Sequence, residues 1–227
     1  MNAVSAEVYI FQQIPDTAAS EAFSFHQQVA SNDQHILPRS EEEIKSFAEK
    51  GELFGVRKAS SDQLVALCYA TLDEEHHEWE VGGLHVLDSL QRLGIGEILV
   101  RFVLCLVVAH ERPWDSGDKV IAIVHEENQK PRKLLRSIGF QQMPPPEGRV
   151  TLPKERAAPS MKRNAEGEIV GHKFNFPREA IKSLCAWLTQ NFLGVTLRDG
   201  THAVLQVRPS GPRVIKDALE VEVAKLR

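Results

Sequence analysis

Two glycines one residue apart, Gly94 and Gly96, close the stretch Gln91-Arg92-Leu93-Gly94-Ile95-Gly96. The apolar segment before it, Glu78 to Val86, reads as a buried strand. The apolar run after it, to about His110, reads as a helix opening at Gly96. The first N–H groups of a helix have no intrahelical partner, and the macrodipole places partial positive charge there. Glycine has no Cβ, so the main chain can approach an anion closely. Loop and helix together point to a phosphate-bearing ligand. The same glycines also suit an ordinary tight strand-to-helix turn. The loop has neither the third glycine of a dinucleotide fingerprint nor the Gly-Lys-Ser/Thr of a nucleoside-triphosphate loop.

The wider pattern resembles the GNAT superfamily of acyl-CoA-dependent N-acetyltransferases. In that family's motif A, an apolar strand ending near Leu-x-Val is followed by Gln/Arg-x-x-Gly-x-Gly/Ala and a helix. Leu84-His85-Val86 and Gln91 to Gly96 match it. Motif B is matched by a strand from Val120 to Val124, Asn128, a short helix containing Leu134, and Gly139-Phe140. The resemblance covers roughly Ala6 to Met143. It implies an α/β acyl-CoA N-acyltransferase fold built on a mixed sheet. It also implies acetyl-CoA as the acyl donor, its pyrophosphate on the loop amides of Leu93 to Gly96. The pantetheine arm is then expected between the motif-A and motif-B strands, paired with the backbone of Leu84, His85 and Val86. Gly82 and Gly83 suit a bulge that splays the motif-A strand open. Gln91, Arg92, Leu93, Gly94, Ile95, Gly96, Asn128 and Lys133 complete the expected donor contacts. Lys130, Arg132 and Lys133 after motif B, and Arg92 in the loop, are cations that a phosphate could meet, or simply a solvated basic face.

Acetyl transfer to an amine needs a base to remove a proton from the substrate ammonium. Glu80 lies four residues before Leu84, where some members of the family carry a catalytic glutamate. Trp79 and Val81 are expected to desolvate it. Glu78, on the same strand face, is the reserve. His85 is expected on the face opposite Leu84, in a structural role. Many family members protonate the leaving thiolate with a tyrosine seven residues after the motif-B asparagine, and that position is Leu135 here. No cysteine is expected near the motif-A and motif-B active-site positions, which favours direct attack in a ternary complex over a covalent carrier. The acceptor is a small-molecule amine or a peptide amine, and the sequence does not choose between them. Leu135 keeps open a non-catalytic acyl-CoA-binding or regulatory module on the same fold. A further alternative is an interaction protein that forms a homodimer through residues 177–227.

The 227 residues allow one large domain or a domain with an appendage. A formal net charge of −4 argues against a general nucleic-acid binder. Cys68, Cys105 and Cys185 sit in apolar contexts with neither disulfide nor zinc spacing, so buried thiols in a reducing compartment are expected. His76-His77 has no second metal-binding pair in sequence, and no metal site is expected. The segment MNAVSAEVYIFQQIP lacks a basic stretch followed by an apolar run, and the apolar run Phe102 to Ala109 is too short to span a bilayer. A cytoplasmic protein without a membrane segment is the expectation.

The elements that must position these residues follow in order. Strands are expected over Glu7–Ile14, Leu53–Lys58 and Leu64–Leu72. Helices are expected from about Asp16 to Ala30 and after the capping box Ser40-Glu41-Glu42-Glu43. Residues 144–168 are proline-rich and read as a loop insertion. We expect a last core strand from Ile169 to Phe176, closing a 1–176 acetyltransferase domain. Residues 177–227 form a helix–hairpin extension, with Asp199-Gly200 suited to a type I′ turn. Pro212 to Arg227 fits either a helix or a strand.

Overall fold

The computed structural model describes residues 7–31, 33, 35–152, 163–207 and 211–226, with side chains omitted at 211 and 212. Strands β1 (Val8–Gln13), β2 (Leu53–Lys58), β3 (Leu64–Asp73) and β4 (Glu78–Val86) form an antiparallel succession. Strand β5 (Lys119–His125) then runs parallel to β4, and β8 (Ile169–Asn175) antiparallel to β5. The short strands β6 (Gln141–Gln142) and β7 (Arg149–Leu152) both pair with β8. Among the described residues the sheet order is β6-β8-β5-β4-β3-β2-β1-β10-β9. Strands β9 (Val195–Thr196) and β10 (His202–Leu205) thus continue the sheet beyond β1, with β10 parallel to it. The mixed α/β fold read from the sequence is the fold observed.

Helices cover both faces. Helices α1 (Ala19–Ala30) and α2 (Glu41–Glu49) pack one apolar cluster with Ile14, Leu53, Leu67 and Tyr69. The expected capping box opens α2: the Glu43 N–H donates to Ser40 Oγ at 3.2 Å, and the Ser40 N–H to Glu43 Oε2 at 2.9 Å. Helix α3 (Ile95–Glu111) lies against the other face, with the single turn α4 (Pro113–Ser116) after it. Helices α5 (Gln129–Ile138), α6 (Ile181–Asn191) and α7 (Gly211–Ala224) share its cluster. Buried residues occur all around α3, as expected for a helix held between a sheet and two further helices.

Four local expectations change. Helix α3 opens at Ile95, one residue earlier than expected. The ambiguous last stretch is helix α7, with Ile215 and Leu219 buried between its neighbours. Within 144–168, residues Arg149–Leu152 form β7, because the exposed edge of β8 offers them a ladder; 153–162 lie outside the described residues. The β9–β10 connection spans Leu197 to Thr201, and only Gly200 in it has positive φ, +87°. A type I′ turn needs two such residues, so the Asp-Gly pair works differently here: Asp199 Oδ1 accepts from the Thr201 N–H at 3.0 Å.

Candidate active site

Strands β4 and β5 are paired only over Glu78↔Lys119, Trp79↔Val120 and Glu80↔Ile121. Beyond Glu80 they separate. On the other side of β4, Tyr69 is opposite Gly82 and Leu67 opposite His85, so Gly83 and Leu84 together face Cys68. This is the bulge expected at Gly82-Gly83, and Gly83 adopts φ +59°. A Cβ on Gly83 would meet the Tyr69 ring at 2.5 Å, so the bulge both needs and holds a glycine.

The parted strands open a cleft of about 280 Å³. Glu80, Leu84 and His85 on β4, Ala122 to His125 on β5, and Asn128, Leu134 and Leu135 beyond it line the cleft. Arg39 and Tyr69 line its other side. The loop expected to hold phosphate lies at the C-terminal end of β4. Arg92 and Gly94 both have positive φ (+68° and +91°), and a Cβ on Gly96 would be 3.5 Å from Leu84 and Val86 side-chain atoms. Gly94 is the N-cap of α3, with no side-chain cap on the helix's first N–H groups. Helix α2 satisfies its own with Ser40, whereas α5 and α6, like α3, have no side-chain cap. An uncapped N-terminus of this kind favours an anion.

Glu80 is half-buried, its side chain 26% exposed. The Tyr69 hydroxyl donates to Glu80 Oε1 at 2.8 Å, and Arg39 Nη2 lies 3.6 Å from the same oxygen. Arg39 also donates to the Tyr69 hydroxyl, binds Glu43 Oε1 at 3.1 Å, and lies over the Tyr69 ring 5.0 Å from its centroid. Burial and the neighbouring Glu80 carboxylate push the Tyr69 phenol well above its ordinary value, so it stays protonated and donating. Strand alternation places Trp79 and Val81 in the α3 cluster, and the polar groups that meet Glu80 are Tyr69 and Arg39. Glu78 is buried outside the cleft, with both oxygens bound to Lys173 Nζ at 2.9 and 2.7 Å.

His85 faces away from Leu84 and is buried. Its Nε2 lies 2.8 Å from His26 Nδ1, and the Arg39 N–H donates to His26 Nε2 at 2.9 Å. The backbone donor at Nε2 makes Nδ1 the protonated nitrogen of neutral His26, which therefore donates to His85. Burial, with the Arg39 charge beside it, lowers His26 to about 4. Burial lowers His85 to about 3.

The expectation that no cysteine lies near the site fails. Cys68 lines the cleft, because the bulge leaves it opposite Gly83 and Leu84. Burial pushes its thiol up to about 12, and Sγ donates to the Gly82 carbonyl at 3.3 Å.

Asn128 N-caps α5, with its N–H on the His125 carbonyl. Lys133 is exposed on α5 and Arg92 is exposed in the loop. Arg132 is committed to the Glu126 carbonyl and Gln142. Leu135 is buried in the cleft wall. Sequence reasoning missed Tyr69 and Arg39. Tyr69 was within reach, because the β3–β4 hairpin pairs Thr71 with Glu80 and so sets Tyr69 diagonally across from it. Arg39 carried no such signal.

A model of the acetyltransferase (GNAT) family matches residues 18–140, more than half of the chain. The chain belongs to the GNAT family. It is an acyl-CoA-dependent acyltransferase, with acetyl-CoA or another acyl-CoA as donor. No curated protein matches it by sequence. Solved structures share the GNAT fold at low identity. A GNAT acetyltransferase from Streptococcus pneumoniae is 15% identical with TM-score 0.52, covering 74% of this chain and 97% of its own. The ribosomal-protein-S18-alanine N-acetyltransferase from Escherichia coli is 16% identical with TM-score 0.50, covering 74% and 93%. The diaminobutyrate acetyltransferase of Paenibacillus lautus, in complex with L-2,4-diaminobutyric acid and coenzyme A, is 9% identical with TM-score 0.54, covering 74% and 95%. Among the described residues, no helix of this GNAT protein is long and apolar enough to cross a membrane.

Proposed function

We propose that this protein is an N-acetyltransferase moving the acetyl group of acetyl-CoA to a primary amine by direct attack in a ternary complex. The observation that carries the reading is Glu80. It is a half-buried carboxylate in the cleft wall where β4 and β5 part, aimed by the Tyr69 hydroxyl. Tyr69 and Arg39 both address Oε1, so Oε2 is the oxygen that receives the ammonium proton. The neutral nitrogen then attacks the thioester carbonyl, a C–N bond forms, the C–S bond breaks, and CoA leaves as the thiolate. The first ammonium proton is on Glu80, the second N–H proton is lost from the tetrahedral adduct to bulk water, and the neutral amide remains. The pantetheine arm pairs with the free β4 backbone at Leu84 to Val86. The pyrophosphate takes the uncapped N–H groups at Gly94 to Gly96, in the loop Gln91 to Gly96, and Asn128 and Lys133 stand on the motif-B side. Cys68 does not supply a covalent carrier, because a thiol held near 12 is almost wholly protonated at neutral pH. Residues 1–176 are the catalytic domain in this reading, and 177–227 an extension to it. Diaminobutyric acid and a ribosomal-protein alanine, named with two of the similar structures, define the small-molecule and polypeptide amines to try first.

The test is an amine panel, free diamines and peptide N-termini, monitored by thiol release from acetyl-CoA. Glu80→Gln is expected to lower kcat for the best acceptor by about 100-fold or more, the usual range for removing a positioned base. Unchanged turnover in Glu80→Gln would remove Glu80 as the base. A parent protein that binds acetyl-CoA and acetylates no amine would favour a non-catalytic acyl-CoA-binding module.

A further inference from the structure

The extension reaches the donor loop. The turn between β9 and β10 folds back onto it, and the Arg198 N–H donates to the Leu93 carbonyl at 3.1 Å. The Arg198 side chain continues over the loop. Nη1 lies 3.5 Å from the Arg92 carbonyl, and a Cβ on Gly94 would be 3.8 Å from Nε. The turn is fixed from behind by buried Leu197 and by the pairing of β10 with β1. A guanidinium 67% exposed is thus held beside the glycine that caps α3.

The surrounding charges define what it is for. Glu97, in the first turn of α3, is a carboxylate at the helix end where phosphate would bind. Arg101 occupies Glu97 Oε1 at 3.2 and 3.1 Å, and Arg198 Nη2 lies 3.5 Å from Oε2. Arg101 is also committed to the Ser137 carbonyl at 3.1 Å. Among the described residues Arg198 makes only long side-chain contacts, at the weak end of hydrogen bonding, and can turn from carboxylate to phosphate at little cost. Its fork of donors matches two phosphate oxygens.

We propose that Arg198, carried by the C-terminal extension, is a ligand of the donor's pyrophosphate. The extension thereby completes the acyl-CoA site that the catalytic domain begins. The proposal rests on the reading of Gln91 to Gly96 as the pyrophosphate loop.

The test is calorimetric titration of the full-length protein with CoA and with 3′-dephospho-CoA. Arg198→Ala is expected to raise Kd for both by roughly 5- to 10-fold, the effect of one partly exposed charge-assisted contact. The penalty shrinks as salt rises from about 50 to about 500 mM. Arg198→Lys, which keeps the charge and loses the fork, falls between parent and Arg198→Ala. Glu97→Gln, which frees Arg198 and removes a like charge, is expected to tighten both ligands. Lys182→Ala, an exposed charge on α6, stays within twofold of the parent. Circular dichroism on each variant separates a lost contact from a lost fold. An Arg198→Ala protein that stays folded and binds both ligands as the parent does overturns the proposal. A penalty seen with CoA but not dephospho-CoA also overturns it, because Arg198 would then meet the 3′-phosphate. A parent that binds neither ligand overturns the loop reading itself, a result distinct from either.

Discussion

Tyr69 on β3 donates a 2.8 Å hydrogen bond to Glu80 Oε1 on β4, so one hairpin carries both the candidate base and the phenol that aims it. The pair straddles the bulge beside the cleft between β4 and β5. A Cβ on Gly82 would lie 2.5 Å from the Tyr69 hydroxyl and 2.9 Å from Glu80 Oε1. Backbone shape and side-chain aim are therefore coupled at this point of the sheet.

Tyr69→Phe removes the hydroxyl and keeps the ring that stacks on Phe47 at 4.8 Å. Turnover is expected to fall about 10-fold, the worth of one hydrogen bond to a charged group, with KM for acetyl-CoA within twofold. Steady-state kinetics with the best acceptor measure both constants. Unchanged kcat would reduce Tyr69 to a packing residue.

Gly83→Ala forces a side chain into the left-handed region and against the Tyr69 ring. The conformational penalty alone is about 1–2 kcal/mol. The expected result is a drop in Tm of roughly 2–8 °C with loss of acetyl-CoA affinity, read by calorimetry. A Gly83→Ala protein with parental Tm and affinity would show that the bulge does not shape the cleft.

His26 and His85 make stability depend on pH. Their folded values, about 4 and about 3, lie below the ordinary 6.5, so the unfolded chain binds more protons between those limits. Their contribution is intact above pH 6.5 and is lost as pH falls toward 4 and then 3. Between pH 7 and 5, urea denaturation should show a loss of about 2–4 kcal/mol. The double variant His26→Gln, His85→Phe should flatten that dependence, whatever its stability at pH 7. An equally steep slope in the double variant would place the titrating groups elsewhere.

Cys68 sits in the cleft wall with its thiol pushed up to about 12. Cys68→Ala is expected to keep most of the parental kcat. Mass spectrometry of the parent with acetyl-CoA alone should show no acetyl adduct on Cys68. An adduct that forms and then decays on adding amine would replace direct attack with a covalent carrier.

What the sequence determined by itself is what depends on neighbours along the chain. The Ser40–Glu43 capping box is satisfied within one helical turn. The glycine loop leads into α3 a few residues after β4 ends, and Gly82-Gly83 bulges β4 because backbone conformation is set residue by residue. Alternation likewise sent His85 away from Leu84. Other relationships needed the chain to close on itself. Arg39 meets Tyr69 and Glu80 only because α1 and α2 pack over β2 and β3. Glu78 leaves the cleft because β8 brings Lys173 to it from 95 residues away. Arg198 arrives at Gly94 because β10 adds beside β1, at the far side of the sheet from β5. Residues distant in sequence have no periodicity linking them, and their meeting is decided by which strand edges are open and which apolar faces must be covered.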